Sequence, residues 1–174
     1  MNSEKFLLDS NIFMTPSRSY YSFDFAQGFW RQMRTAIHSG NVFILDVIYK
    51  EITKGNDKLA EWLKNTIDNN NSCKIRVQDE EIIKEYSKIQ NYISTCNLYQ
   101  QQAISEWAKR EIADPWLIAT AIAKNCTIIT FEIHGNPQSQ QKAKKIKILD
   151  IADYFRVSYH DLFYFMRKMK FSWP

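Results

Sequence analysis

Four acidic residues stand at the ends of apolar runs that read as buried strands, or just beyond them. Asp9 closes Phe6-Leu7-Leu8 and is followed by Ser10-Asn11. Glu51 comes after Val42-Phe43-Ile44-Leu45, Asp114 opens Asp114-Pro115-Trp116-Leu117-Ile118, and Glu132 follows Thr127-Ile128-Ile129-Thr130-Phe131. In an open parallel α/β sheet, ligands bind outside the carboxyl ends of the strands. Acids from distant parts of the chain can converge there. Clustered carboxylates repel one another unless a cation offsets them or some stay protonated. Oxygen ligands suit Mg²⁺ or Mn²⁺. The chemistry that such acids support is metal-assisted hydrolysis of a phosphodiester bond.

Each acid also has a plain structural reading. Asp9 can form a turn with Ser10 and Asn11. Asp114 before Pro115 matches a helix N-cap followed by Pro at the first helical position. Glu51, near Lys50 and Lys54, can be a solvated helix residue. Glu132 lies in a loop whose direction the sequence leaves open. The signal is in four acids at four strand-to-helix junctions, not in any one of them.

Other chemistries find less support. His38, His134 and His160 are scattered, without zinc-ligand spacing. There is no GxSxG elbow and no glycine-rich phosphate loop. Cys73, Cys96 and Cys126 are odd in number and far apart, so reduced thiols in an intracellular protein are expected. The length of 174 residues suits one domain, 1–174, and 45% hydrophobic residues suffice for a core. A net charge of +4 is a mild bias toward polyanions. No basic segment followed by an apolar run opens the chain, and no apolar run approaches the roughly 20 residues of a membrane span. The expectation is a soluble, cytoplasmic protein.

The elements that must position the acids follow from periodicity. Strands are expected at Phe6–Leu8, Val42–Leu45, Ile75–Val77, Thr127–Phe131 and Ile146–Leu149. Helices are expected from Phe25 to Ile37, ended by Gly40, and around Val47–Ile52. Further helices are expected at Asp57–Ile67, Asp79 to about Tyr92, about Tyr99 to Arg110, from Asp114, at Ile151–Phe155 and from Leu162. Ser10-Asn11 reads as a cap or turn, and the segments 68–72 and 134–145 as loops. Alternating strands and helices argue for a three-layer α/β/α sandwich around a mostly parallel sheet. Phe25, Phe29 and Trp30 read as core. Tyr20 and Tyr21 are candidates for stacking on bases, with core packing as the competing reading. Lys142, Lys144 and Lys145, with Lys147 beyond, are either a phosphate-contacting track or a solvated loop.

Four of these segments resemble a PIN domain: Leu7-Leu8-Asp9-Ser10-Asn11, Val47-Ile48-Tyr49-Lys50-Glu51-Ile52, Asp114-Pro115-Trp116-Leu117-Ile118-Ala119-Thr120-Ala121 and Ile128-Ile129-Thr130-Phe131-Glu132. Three more are similar to a bacterial and archaeal branch of PIN proteins once grouped as a domain of unknown function. They are Tyr20-Tyr21-Ser22-Phe23-Asp24-Phe25, Gly28-Phe29-Trp30 and Lys58-Leu59-Ala60-Glu61-Trp62. The resemblance covers nearly the whole chain. It implies a Rossmann-like sandwich and a Mg²⁺- or Mn²⁺-dependent ribonuclease leaving 5′-phosphate and 3′-hydroxyl ends. Many such proteins are toxins of VapBC-type toxin–antitoxin pairs, so an RNA substrate, an antitoxin partner and a homodimer belong to the expectation. Asp9, Glu51 and Asp114 match the family's three core acidic positions. The fourth is usually Asp, and here it is the longer Glu132. Asn11 and Thr130 match polar positions that support the acids. Two alternatives stay open. One is a catalytically inactive module that binds RNA or protein. The other is a haloacid-dehalogenase-like phosphatase, which wants a second Asp where this chain has Asn11.

Overall fold

A computed structural model describes residues 3–67, 71–135 and 141–172. Five strands form one sheet: β1 (Phe6–Leu8), β2 (Val42–Leu45), β3 (Lys74–Ile75), β4 (Thr127–Ile129) and β5 (Tyr159–His160), in the order β3-β2-β1-β4-β5. Every pairing is parallel. β1 and β4 are buried at every position. Successive strand residues face opposite sides of a sheet, so both faces are covered and the architecture is an α/β sandwich.

The connecting helices are α1 (Asn11–Arg18), α2 (Gln27–Ile37), α3 (Asp46–Thr53), α4 (Lys58–Ile67), α5 (Glu80–Thr95), α6 (Gln101–Trp107), α7 (Asp114–Lys124), α8 (Ile148–Tyr154) and α9 (Leu162–Lys168). One contiguous core joins them. Phe165 of α9 meets Phe6 edge to face at 5.3 Å, and Trp30 of α2 meets Trp62 of α4 at 4.9 Å. Among the described residues, no helix is long and apolar enough to cross a membrane. Cys73, Cys96 and Cys126 are free thiols.

The structure corrects four expectations. Ile146–Leu149 is not a strand. Ile148, Leu149, Ile151 and Ala152 are buried at helical spacing, and α8 begins at Ile148. The fifth strand is Tyr159–His160, too short to leave a periodic signal. Ser10 does take the N-cap position, as expected, but the helix it opens, α1, which buries Ile12, Phe13 and Pro16, is not among the expected elements. Phe25 precedes α2 and is 70% exposed, although its four-residue spacing to Phe29 aligned it with the core face. Residues 68–70 and 136–140, parts of the expected loops, lie outside the described residues.

Candidate active site

β1 and β4 are neighbours, but their connections leave on opposite sides of the pair: β1 leads toward β2 and β4 toward β5. That makes a switch point, and the crevice outside the carboxyl ends of β1 and β4 is where such sheets take ligands. Asp9 is the first residue past β1 and is only 4% exposed. Its Oδ1 accepts a hydrogen bond from the Ser10 amide at 2.6 Å, and its Oδ2 accepts one from the Thr130 hydroxyl at 2.7 Å. Thr130, one residue past β4, is the hub. Its Oγ1 also accepts from Asn11 Nδ2 at 3.1 Å and from the Glu132 amide at 3.0 Å. Asn11 Oδ1 in turn accepts from the Phe131 amide at 3.0 Å. One polar knot thus ties the exit of β1 to the exit of β4.

The other acids come from helices. Asp114 is the first residue of α7, not its N-cap, and Ala113 precedes it. A carboxylate in the first turn gains from the positive end of the helix dipole. Glu51 sits well inside α3, with Ser10 Oγ pointing at its Oε1 at 3.5 Å. Lys50 does not neutralise it: that ammonium is turned back to Asp46, 3.7 Å away. Asp46 is itself buried and accepts from the Val77 amide at 3.2 Å. Glu132 pairs with Lys147, the residue preceding α8, at 3.2 Å.

The electrostatics show that the four acids share one region. Burial pushes the Asp9 carboxyl up to about 7. The charges of Asp114 and Glu132 add to the rise, while the Thr130 hydroxyl and Ser10 amide oppose it. Burial pushes Asp114 up to about 6. Trp107 opposes that rise, Glu132 and Glu51 add to it, and Lys147 opposes it again. Burial raises Glu51 as well, against the Ser10 hydroxyl. The Trp107 indole N–H is buried and without a hydrogen-bond partner at ordinary distance, yet close enough to Asp114 to hold its carboxyl down.

Among the described residues, no three His, Cys, Asp or Glu side chains stand close enough to hold one bare metal ion together. The donor set therefore does not fit an all-protein metal cage. It does fit a hard, hydrated cation: Mg²⁺ keeps several waters and binds through one or two carboxylates. In such an arrangement the buried Asp9 and Asp114 would be the direct ligands, and Glu51 and Glu132 would act through water.

Other expected residues lie elsewhere. Tyr21 stacks face to face on Phe29 at 4.3 Å, and its carbonyl accepts from Trp30 Nε1 at 2.7 Å. Tyr20 is 70% exposed, beyond the end of α1 opposite Asn11. That is roughly 12 Å along the helix. Lys142 is hydrogen-bonded to Asn97 Oδ1, and Lys144 and Lys145 are exposed. The residue from that lysine group that enters the site is Lys147. Trp107 and Lys147 carry no local pattern that announces them; packing of α6 and α8 brings them in.

The family model for DUF4411, a domain of unknown function, matches residues 6–173. No curated protein matches the chain. Among solved structures with a similar fold is the crystal structure of VapBC2 from Rickettsia felis bound to a DNA fragment from their promoter. It is 14% identical, covers 90% of this chain and 97% of that chain, and gives a TM-score of 0.47. At those values the likeness carries no further argument.

Proposed function

The chain belongs to the DUF4411 family, and on that footing we propose that it is a PIN-like endoribonuclease, dependent on Mg²⁺ or Mn²⁺, that hydrolyses RNA phosphodiester bonds. The observation that carries the reading is the pair Asp9 and Asp114. Both are placed at the sheet's carboxyl edge, and their carboxyls are pushed up to about 7 and about 6, with Lys147 the one basic side chain among the causes. A site that leaves negative charge uncompensated favours a cation. A bound divalent ion would lower the pKa of a coordinated water and offset charge on the scissile phosphate. The chain's own residues do the rest. Thr130 and the Ser10 amide fix both oxygens of Asp9. Asn11 braces Thr130 and the Phe131 backbone. Lys147 holds Glu132 at the rim. With its amide committed to that brace, Asn11 does not serve the acid role that a haloacid-dehalogenase-like phosphatase needs at its position.

The finer part of the proposal is a toxin of a toxin–antitoxin pair, supported by the motif resemblance to PIN toxins. A small co-transcribed reading frame whose product restores growth when both are expressed would bear that out.

The test of the enzyme reading is metal-dependent cleavage. With Mn²⁺ the protein should cut single-stranded RNA, and EDTA should stop it. Asp114→Asn keeps the shape and removes the charge, so cleavage should fall by about two orders of magnitude or more in a folded protein. Full activity in that variant rejects Asp114 as a ligand. No cleavage by the wild type, across varied RNAs and several divalent ions, moves the reading to a binding module.

A further inference from the structure

Two grooves border the acids, one on each side. The first, of about 500 Å³, lies beyond Glu51 and is lined by Val47, Lys50, Glu51, Lys54, Arg110 and Glu111. Neither Lys54 nor Arg110 has a carboxylate within ion-pair distance among the described residues. Arg110 is not on a free loop. Its carbonyl accepts from Trp116 Nε1 at 3.2 Å, and Trp116 is stacked on Tyr86 at 3.7 Å. The second groove, of about 440 Å³, begins at Thr130 and Glu132 and runs under Tyr159, His160, Tyr164 and Arg167. There the exposed His160 ring lies flat on Tyr164, with ring centres 3.7 Å apart and planes 16° apart. The two grooves differ in chemistry. One sets the cations Lys54 and Arg110 among the carboxylates Glu51 and Glu111, with no aromatic ring, and the other offers rings and an arginine.

Sheet order puts them in line. From β2 through β1 and β4 to β5, the carboxyl edge carries Glu51, then Asp9, then Thr130 and Glu132, then His160. Three strand spacings, roughly 14 Å, separate the ends, a span for a few nucleotides only. Resting on the nuclease reading above, we propose that a single strand of nucleic acid crosses the acids along this edge, its phosphates held by Lys54 and Arg110, and a base stacked on His160 in the opposite groove. Lys and Arg contacts to phosphate give salt-dependent affinity without sequence information. A ring on which a base can stack gives affinity that salt changes little. The two grooves should therefore separate in one measurement.

The measurement is fluorescence anisotropy of a short labelled single-stranded RNA with the full chain in EDTA, so that no cutting intervenes. Affinity is followed from about 50 to about 200 mM salt. Lys54→Gln with Arg110→Gln should weaken binding and make the log–log salt slope shallower by about 1.4 units, two phosphate contacts at ~0.7 each. His160→Ala should weaken binding by roughly tenfold with the slope unchanged, and His160→Asn should do the same. RNA and DNA strands of one sequence tell which kind of strand the path holds. Lack of wild-type binding overturns the path, and so does binding untouched by the basic double substitution or by both His160 substitutions. The Mn²⁺ cleavage assay, run alongside, separates the two ideas. Cleavage with groove-independent binding leaves the nuclease and removes the path. Groove-dependent binding without cleavage in any metal does the reverse.

Discussion

Asp9 titrates at about 7 in the folded chain against an ordinary value of 3.8, because it is buried and sits near Asp114 and Glu132. Between those two pH values the folded chain holds a proton that the unfolded chain has lost. Stability without metal therefore falls as pH rises across that window, by an amount on the order of a few kcal/mol. Asp114, at about 6, adds to the fall in the same direction. Urea unfolding in EDTA at about pH 5 and about pH 8 should show the loss, and Asp9→Asn should remove most of it. A wild type as stable at the higher pH would mean that these acids are not held protonated. Thr130 makes a second prediction at this scale. Thr130→Val deletes the hydroxyl that Asp9, Asn11 and the Glu132 amide share. Leaving those groups unpaired should cost about 1–3 kcal/mol. Cleavage should drop by roughly tenfold or more, as when a group orienting a metal ligand is removed. Thr130→Ser should restore both, which a packing defect alone would not predict. Asp9, Asn11 and Thr130 were legible because each sits where an apolar run stops. Trp107 and Lys147 were not, since a lone Trp at a helix end and a Lys among lysines look like core and surface.

The segment after β4 leads from the acids to α8, and its anchor is Gly135. The Gly135 amide donates to Asp150, and a Cβ built there would stand 2.7 Å from Asp150 Oδ2. His134 reinforces the joint, with Nδ1 on Asp150 at 2.9 Å and Nε2 against the Tyr159 hydroxyl at 3.0 Å. Gly135→Ala should therefore destabilise by roughly 1–3 kcal/mol, read by thermal unfolding. In an Asp150→Ala background the cost should shrink, because the obstructing carboxylate is gone. An equal cost in both backgrounds would place the strain elsewhere. At this scale the long elements were readable and the short ones were not. The apolar faces of α4, α5 and α7 repeat over several turns. Ile146, Ile148 and Leu149 offered only a few residues, and such a window cannot separate a two-residue period from a helical one. Burial of Ile151 and Ala152 in register with Ile148 decides it. Two-residue β5 is defined by pairing with β4, which no local pattern encodes.

For the whole molecule, the expected observable is linkage to a cation. Mn²⁺ or Mg²⁺ that binds the folded site should raise the melting temperature, by about 2.7 kcal/mol of stability at a hundred times the dissociation constant. Asp9→Asn should lose most of that gain, and an equal gain in both proteins would put the ion at another place. The parallel sandwich was legible because β1 and β2 are uninterrupted apolar runs and β4 is a β-branched one, all set between helical stretches. The strand order was not, because nothing in β1 says that its neighbour lies some 120 residues away. That separation has a consequence for the life of the chain. Phe6 pairs with Thr127, and the Thr130 hydroxyl reaches Asp9 across 121 positions of sequence. A contact of such span closes late, since the entropy of the intervening loop opposes it until much else is in place. While the chain is still being synthesised, Asp9 leaves the ribosome long before Thr130 exists to hold it. On the nuclease reading proposed above, the growing polypeptide would be inert toward the messenger and ribosomal RNA around it, and hydrolytic competence would arrive only with the β1–β4 seam.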